Sequence, residues 1–261
     1  LPLSNSVLVQ IYYFFYFMCM KIIKLDAIDS TNSYLKKLLT KESLDDLTVV
    51  ISKHQTKGKG RNGNIWANDA SLNLAFSIYK RFNRLNINNK FILNLISSIA
   101  VFHLLSENKL NKLTIKWPND IMSENKKISG ILIENSVKGN FINHSVIGVG
   151  VNVNQRKFKN LPNATSMFIQ TGREFSLDTL ASRLGEIFCK KFLQYEKNEG
   201  ALLKYYNNQL FLKNTDSNFI TKDGKRFSGK ITRINKNGEL VIMKADNREV
   251  NYTENEIRFE S

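Results

Sequence analysis

Strand-like and helix-like segments alternate along this chain, and no other feature of the sequence constrains its fold as strongly. Residues 72–79 carry an apolar side chain at every second position, which is typical of a half-buried strand. Residues 92–102 instead repeat apolar side chains at every third or fourth position, as on one face of a helix. The same spacing recurs between residues 180 and 192, after Ser176, a residue type that caps helix N-termini. We therefore predict an α/β protein with helices layered on one main sheet.

The character of the sequence changes after about residue 213. Apolar runs become short, and Asn237-Gly238 is a strong signal for a tight hairpin turn. We predict a main domain over residues 20–212 and a small β-barrel over residues 213–261. A segment of this size is too small to hold the main hydrophobic core.

Residues 1–19 differ from the rest of the chain. From residue 7 to Met20 the side chains are nearly all apolar or aromatic, and none is charged. The segment is shorter than a typical membrane span, and it lacks the basic start and the cleavage site of a signal peptide. We expect Met20 to be the natural start and this apolar extension to be foreign to the natural protein. The alternative is a tail that associates with a membrane.

The segment from residue 58 to residue 66 reads Gly58-Lys59-Gly60-Arg61-Asn62-Gly63-Asn64-Ile65-Trp66. Glycines let a backbone approach a ligand closely, and successive amides together with cations can form a nest that binds an anion. The indole at the end suits a flat ring, so a nucleotide is one ligand that would fit. The segment is not a Walker A loop, because no Gly-Lys-Ser/Thr follows at the required spacing. From these residues alone, a solvated surface loop remains the alternative.

Further polar segments accompany this loop in a fixed order. They are Asp29-Ser30-Thr31-Asn32 and His54-Gln55-Thr56 before it, then Lys116-Trp117-Pro118-Asn119-Asp120, Lys127-Ile128-Ser129-Gly130-Ile131-Leu132-Ile133-Glu134 and Gly148-Val149-Gly150-Val151-Asn152 after it. In these motifs, their order and their separations, the chain resembles the biotin protein ligases from about residue 21 to its C-terminus. The resemblance implies a mixed sheet with helices, like that of class II synthetases, followed by a small SH3-like barrel.

The resemblance also implies a reaction in two steps. Biotin and ATP would give biotinyl-5′-AMP and pyrophosphate, and the biotinyl group would then pass to one lysine of a biotin carboxyl carrier protein of acetyl-CoA carboxylase or a related carboxylase. No helix-turn-helix pattern precedes the motifs, so we expect a ligase that only biotinylates and does not bind DNA. A lipoate or octanoate ligase of the same fold is the nearest alternative.

Individual roles follow from the same resemblance. The catalytic residues would be Lys127, Arg61, Lys59 and Asp120, with Asp120 also a ligand of Mg²⁺. Biotin would be bound by Ser30, Thr31, Asn32, Gln55, Lys59, Gly60, Arg61, Lys127, Gly130 and Gly150. ATP and the adenylate would be bound by Gly58, Arg61, Trp66, Lys116, Asn119, Lys127 and Asn152. Lys59 and Asn64 stand where the family usually has arginine, so we expect this chain to hold its adenylate less tightly.

Charge and cysteine content bear on partners and compartment. The net charge is +15, but the lysines are spread along the whole chain, which favours a compositional cause. A basic nucleic-acid-binding protein is the alternative from another functional class. Cys19 and Cys189 make neither a metal pattern nor a disulfide framework, which favours the cytoplasm. We expect no redox cofactor, no structural metal and no membrane contact, with a homodimer as one option for assembly.

Overall fold

The structure is a computed structural model that describes residues 20–66, 69–159 and 161–260. The predicted extension, residues 1–19, lies outside the described residues. Two sheets and five helices account for the regular structure of the described part.

Seven strands form the main sheet. In chain order they are β1 (Ile22–Ile28), β2 (Val49–Gln55), β3 (Leu74–Asn86), β4 (Leu113–Lys116), β5 (Asp120–Ser123), β6 (Lys126–Lys138) and β7 (Phe141–Val151). Their order in space is β1-β2-β3-β7-β6-β5-β4. Only β1 and β2 run parallel, and all other neighbours are antiparallel. The prediction of one main mixed sheet is confirmed.

Helices cover this sheet and close its one parallel connection. They are α1 (Thr31–Leu39), α2 (Phe91–Glu107), α3 (Met167–Thr171), α4 (Leu177–Lys197) and α5 (Glu199–Asn208). Parallel neighbours need a crossover, and α1 lies in the connection from β1 to β2. Ser30 caps α1 by accepting a hydrogen bond from the amide of Ser33, and Ser176 caps α4 in the same way. Both capping serines therefore set where a helix begins.

The stretch Ile87–Glu107, which contains α2, is long and apolar enough to cross a membrane by length and composition alone. Within the protein, however, 67% of its apolar window is buried. Its side chains belong to a hydrophobic core that also takes in the main sheet and α4, where Phe76 stacks on Phe188 with 5.9 Å between the ring centroids. The stretch therefore behaves as the central helix of that core.

A second sheet follows α5. Its strands are β8 (Asp216–Thr221), β9 (Arg226–Ile234), β10 (Leu240–Met243), β11 (Glu249–Tyr252) and β12 (Ile257–Phe259), in the spatial order β11-β10-β9-β8-β12. β12 returns to pair with β8, so β11 and β12 are the two edges, and no pairing joins them in the described part of the chain. Residues 216–259 therefore form an open antiparallel sheet. The predicted β-structure is present, but the prediction that it closes into a barrel is corrected.

The second sheet shares its core with the main domain. Phe219, Ile231 and Leu240 belong to the same buried cluster as Phe91 and Trp117. Residues before and after position 213 thus belong to one apolar core, so the main domain and the second sheet pack against each other. The division into residues 20–212 and 213–261 stays a prediction about chain organisation.

Candidate active site

A pocket of about 260 Å³ opens where β3, β7 and β6 run side by side. It brings together most of the residues that the motifs predict. They are Ser30, Thr31, Asn32, Gln55, Lys59, Gly60, Arg61, Trp66, Asn119, Asp120, Lys127, Gly130 and Gly150. Small-molecule pockets are commonly about 300–1,000 Å³, so this one is slightly smaller than that range.

One side of the pocket is a largely buried polar wall, lined by Ser30, Thr31, Asn32 and Gln55. Ser77 is hydrogen-bonded to this wall without lining the pocket itself. The backbone amide of Thr31 donates to Gln55 Oε1 over 2.9 Å. The hydroxyl of Ser77, which comes from β3, lies 2.7 Å from Thr31 Oγ1 and 2.6 Å from Asn32 Oδ1. In a buried setting such a network fixes the direction of every donor and acceptor. The polar wall is therefore held in place by hydrogen bonds among its own residues.

Ser77 and Glu134 belong to this arrangement although no prediction assigned either a role in the site. The Asn32 amide donates to Glu134 Oε2 over 2.9 Å, so the wall continues into β6. Glu134 ends the quoted Lys127–Glu134 segment. Ser77 carries no motif, and its only signal is a hydroxyl between two apolar residues of a strand that is buried on both faces.

The opposite side is a small hairpin formed by residues 58–66, called the glycine hairpin here. Lys59 pairs with Ile65, and the amide of Gly60 donates to Asn64 O over 2.7 Å. Asn62 has φ 54° and Gly63 has φ 78°, which turns the chain back. Several of the amides expected to form an anion nest are therefore used within the hairpin itself. The cationic side chains, rather than the backbone, are left to meet an anion.

Trp66 closes the hairpin against the main sheet. A Cβ atom at Gly150 would lie only 2.3 Å from Trp66 Cε2, and one at Gly130 would lie 3.0 Å from Trp66 Cζ3. Two strand glycines thus make room for the indole, which no larger residue would allow. Among the described residues, the buried indole Nε1 has no hydrogen-bond partner. A buried donor without a partner is unusual in a protein, and here it lies beside the pocket.

Lys127 and Asp120 form an ion pair inside the pocket. The Nζ atom of Lys127 lies 2.8 Å from Asp120 Oδ1 and 5.6 Å from the centroid of the Trp66 ring. Both side chains are partly shielded from solvent, at 37% and 22% exposure respectively. Screening by water is weaker at such a site than on an open surface. The carboxylate therefore orients the ammonium group toward the pocket.

Arg61 and Lys59 anchor the glycine hairpin at three points. Arg61 Nη1 donates to Asn119 Oδ1 over 3.2 Å, and Nη2 lies 2.7 Å from Glu254 Oε1. Lys59 Nζ donates to Ser33 Oγ of α1 over 2.8 Å. The hairpin cations thus reach the first helix, the Lys116–Asp120 segment and the second sheet.

Three predicted ligand residues do not line the pocket. Lys116 points away from it, with its Nζ 4.8 Å from the Phe259 ring centroid. Burial lowers the pKa of Lys116, while Asp120 raises it and Lys127 lowers it further. Asn152 is buried and donates to Thr165 O over 2.9 Å. Gly58 packs against the Trp66 carbonyl, where a Cβ atom would lie 2.3 Å from the oxygen. These three residues therefore contact neighbouring segments and do not line the pocket.

Carboxylates are scarce in the site. Asp120 is the one acidic side chain that lines the pocket in the described part of the chain. No group of three or more His, Cys, Asp and Glu that could hold a metal occurs in the ranges that the structure describes. These side chains do not form a resident metal site by themselves. Mg²⁺ commonly binds through one or two carboxylates plus substrate phosphates, and a single aspartate fits that mode.

Comparison with known proteins agrees with this geometry. The profile of the biotin/lipoate A/B protein ligase family matches residues 25–152. The biotin--[acetyl-CoA-carboxylase] ligase of Mycobacterium tuberculosis is 31% identical over 189 residues, which cover 70% of this chain and 69% of that protein. The chain belongs to this family of ligases. Bifunctional ligase/repressor BirA of Escherichia coli is 32% identical over 133 residues, or 51% of this chain and 40% of that protein.

A solved structure of a family member shares the fold. Biotin protein ligase from Aquifex aeolicus, in complex with biotin and ATP, superposes with a TM-score of 0.76. It covers 92% of this chain and 99% of that one, at 22% identity. Because this chain covers only 40% of the E. coli relative, the activity, substrates and partners of the whole protein are matters for proposal.

Proposed function

We propose that this protein is an ATP-dependent biotin--protein ligase. One observation carries the proposal: a single pocket combines a buried polar wall with Lys127, Arg61 and Lys59. The ureido ring of biotin needs hydrogen-bond partners, and its carboxylate and the ATP phosphates need cations. The names of the Mycobacterium tuberculosis and Aquifex aeolicus relatives support the same substrates for this chain.

In the first step, a carboxylate oxygen of biotin attacks the α-phosphorus of ATP. An oxygen–phosphorus bond forms, the bond to the bridging oxygen breaks, and pyrophosphate leaves with that electron pair. Two anions must approach each other, so fixed positive charge lowers the barrier. Lys127 is placed for this role because it lines the pocket and is held there by Asp120. The distance from Lys127 Nζ to Asp120 Oδ1 is 2.8 Å. Arg61 and Lys59 add charge from the glycine hairpin.

In the second step, the amine of a carrier lysine attacks the carbonyl carbon of biotinyl-5′-AMP. An amide bond forms and AMP leaves. The attacking nitrogen must lose a proton, and Asp120 is the carboxylate available to accept it in the described pocket. The glycine hairpin and Trp66 would keep water from the mixed anhydride until the carrier arrives.

Mg²⁺ would enter with ATP, supplying Lewis-acid stabilisation of the phosphates when bound. Asp120 is the protein ligand that the pocket offers, and its carboxylate also forms the ion pair with Lys127. The remaining ligands would come from the nucleotide and water.

Biotin fits the polar wall better than lipoate or octanoate. Thr31, Asn32 and Gln55 present hydroxyl and amide groups where the end of the substrate would lie. A dithiolane or alkyl chain would desolvate those groups and return no hydrogen bond. The family includes lipoate ligases, so this comparison separates the two functions.

Three accompanying inferences concern the second sheet, DNA binding and the compartment. We infer that the second sheet corresponds to the SH3-like module of the family, from its five short antiparallel strands after the helical region. Three arginines of this sheet are matched by acids, in the pairs Arg226–Glu260, Arg233–Glu249 and Arg248–Asp246. That matching supports a protein that does not bind DNA.

Burial raises the pKa of the Cys189 thiol to about 11, which suits a reduced cysteine in the cytoplasm.

The deciding experiment is a transfer assay. The purified protein is incubated with MgATP, a biotin carboxyl carrier domain and either biotin, lipoate or octanoate. We expect a streptavidin-reactive carrier only with biotin and ATP together, along with biotin-dependent release of pyrophosphate. Transfer of lipoate or octanoate in place of biotin would contradict the proposal. Tight binding to single-stranded DNA at physiological salt would favour the nucleic-acid alternative.

A further inference from the structure

Two turns of the second sheet contact the segments that build the pocket. The turn between β9 and β10 ends at Gly238, whose carbonyl accepts a hydrogen bond from Trp117 Nε1 over 2.9 Å. A Cβ atom at Gly238 would lie 2.3 Å from the Phe91 ring, so the turn is in close contact there. The turn between β11 and β12 carries Glu254, which reaches Arg61. The second sheet therefore contacts both the Lys116–Asp120 segment and the glycine hairpin.

The guanidinium of Arg61 is held between two parts of the protein. Its Nη2 lies 2.7 Å from Glu254 Oε1, and its Nη1 donates to Asn119 Oδ1 over 3.2 Å. Asn119 is itself fixed to β6 by two hydrogen bonds. Its side-chain Nδ2 donates to Ile131 O over 2.9 Å, and its backbone carbonyl accepts from Ile131 N over 3.0 Å. One acceptor thus belongs to the main sheet and the other to the second sheet.

This contact also separates two cavities. Arg61, Asn119 and Ile131 line both the pocket and a neighbouring cavity of about 370 Å³. Thr253 and Glu254 also line that second cavity. The pair between Arg61 and Glu254 therefore lies at the boundary between the pocket and the second cavity.

The glycine hairpin has few other anchors at its tip. Asn62, Gly63 and Asn64 are exposed, and Ile65 is 81% exposed. Lys59 holds the hairpin by one exposed hydrogen bond to Ser33, and Trp66 packs only at its base. The side chains of Arg61 and Glu254 are 22% and 39% exposed, so salt screens this pair less than an open surface pair.

We propose that Glu254 is a positioning residue, which holds Arg61 and with it the glycine hairpin closed over the pocket. Closure of the hairpin then depends on the second sheet. Arg61 lines the pocket while it is paired, so the contact places the cation rather than withdrawing it. The consequence for catalysis rests on the proposed ligase function, whereas closure itself does not.

Closure can be measured without any ligand. Thermolysin cleaves before exposed isoleucine. Ile65 is exposed, but it lies in the hairpin arm that pairs with Lys59. Because that pairing must break before a protease can bind the backbone, the cleavage rate before Ile65 reports how often the hairpin opens. Glu254→Gln removes the charge and keeps the shape. Glu249→Gln is the matched control, because it breaks the pair with Arg233 in the same sheet and does not contact the hairpin. Glu254→Asp keeps the charge and tests rescue.

We expect cleavage before Ile65 to be about 2- to 5-fold faster in Glu254→Gln, the range for losing a partly exposed ion pair. Glu249→Gln should match the wild type, and Glu254→Asp should lie between. Added salt should shrink the difference, because it weakens the wild-type pair. An unchanged rate in Glu254→Gln, or an equal rise in Glu249→Gln, would overturn the proposal.

A second measurement tests the consequence for the reaction. With biotin and MgATP but no carrier, Glu254→Gln should release more free biotinyl-5′-AMP than the wild type. Tighter retention of the adenylate would mean that Glu254 withdraws Arg61 from the pocket, which overturns positioning. Faster cleavage in a protein whose wild type makes no adenylate would leave the role of Glu254 supported and the ligase function refuted.

Discussion

Gly148 and Gly150 lie two residues apart on one face of β7, yet they make room for opposite sides of the pocket. A Cβ atom at Gly148 would lie 2.5 Å from Asn32 Oδ1, in the polar wall. At Gly150 it would lie 2.3 Å from Trp66 Cε2, at the base of the glycine hairpin. The wall is buried and internally hydrogen-bonded, while the hairpin tip is exposed. The contrast suggests that the wall selects the substrate and the hairpin retains the intermediate.

Lys127→Ala should have the largest effect, because Lys127 lines the pocket between Asp120 and the Trp66 ring. We expect biotin-dependent pyrophosphate release to fall by about 10²-fold or more, the scale for losing one preorganised charge contact. Lys126→Ala is the matched control, since Lys126 is the exposed neighbour at the start of the same strand. Near-normal release from a folded Lys127→Ala protein would contradict the role assigned to Lys127.

Alanine at each of the two glycines would test the contrast directly. Gly148→Ala should weaken biotin binding by about 10-fold or more, because overpacking against Asn32 costs about 1–3 kcal/mol. Gly150→Ala should displace the indole, with a smaller effect on biotin affinity and a larger one on adenylate retention. Calorimetry with biotin and the dissociation rate of the adenylate measure the two effects. Identical profiles for both variants would show that the two sides do not act separately.

Ser77→Ala should have a smaller effect and one confined to the wall. It removes the hydroxyl that contacts both Thr31 Oγ1 and Asn32 Oδ1. Losing a buried partner costs about 1–3 kcal/mol, shared between stability and biotin affinity. Ser98→Ala, at a buried serine of α2 outside the pocket, is the control for stability alone. Unchanged biotin affinity in Ser77→Ala would remove Ser77 from the site.

The sequence predicted the side of the site that depends on local motifs. Alternating and helical spacing located β3 and α2, and the motif order placed Lys127, Asp120 and Asn119 near the glycine-rich segment. The contacts that it missed join residues far apart in the chain, such as Arg61 to Glu254. No local pattern encodes such a pair, because it depends on how the second sheet packs.

The same reason explains the predictions that differ from the structure. Lys116 stands opposite Asp120 in the sheet, yet its ammonium group lies over Phe211 and Phe259 from the C-terminal part. The second sheet would close into a barrel only if β12 also paired with β11. It pairs with β8 instead, and β11 and β12 remain as edges in the described part of the chain. Both outcomes were decided by tertiary packing, which periodicity and motif spacing do not carry.

Lys59→Arg should have the smallest effect and should sharpen the role of the hairpin. The ammonium group of Lys59 donates to Ser33 Oγ over 2.8 Å at the pocket. A guanidinium can keep that contact and offer a second, parallel donor to a carboxylate or phosphate. We expect the adenylate to dissociate about 2- to 5-fold more slowly, the effect of one additional hydrogen bond, with biotin affinity nearly unchanged.

Lys57→Arg is the control, since Lys57 is exposed and outside the pocket lining. Equal slowing in both variants would point to a general effect of arginine. An unchanged rate in Lys59→Arg would mean that the hairpin retains the adenylate by shape, through Trp66 and the backbone, and not by the geometry of its cations.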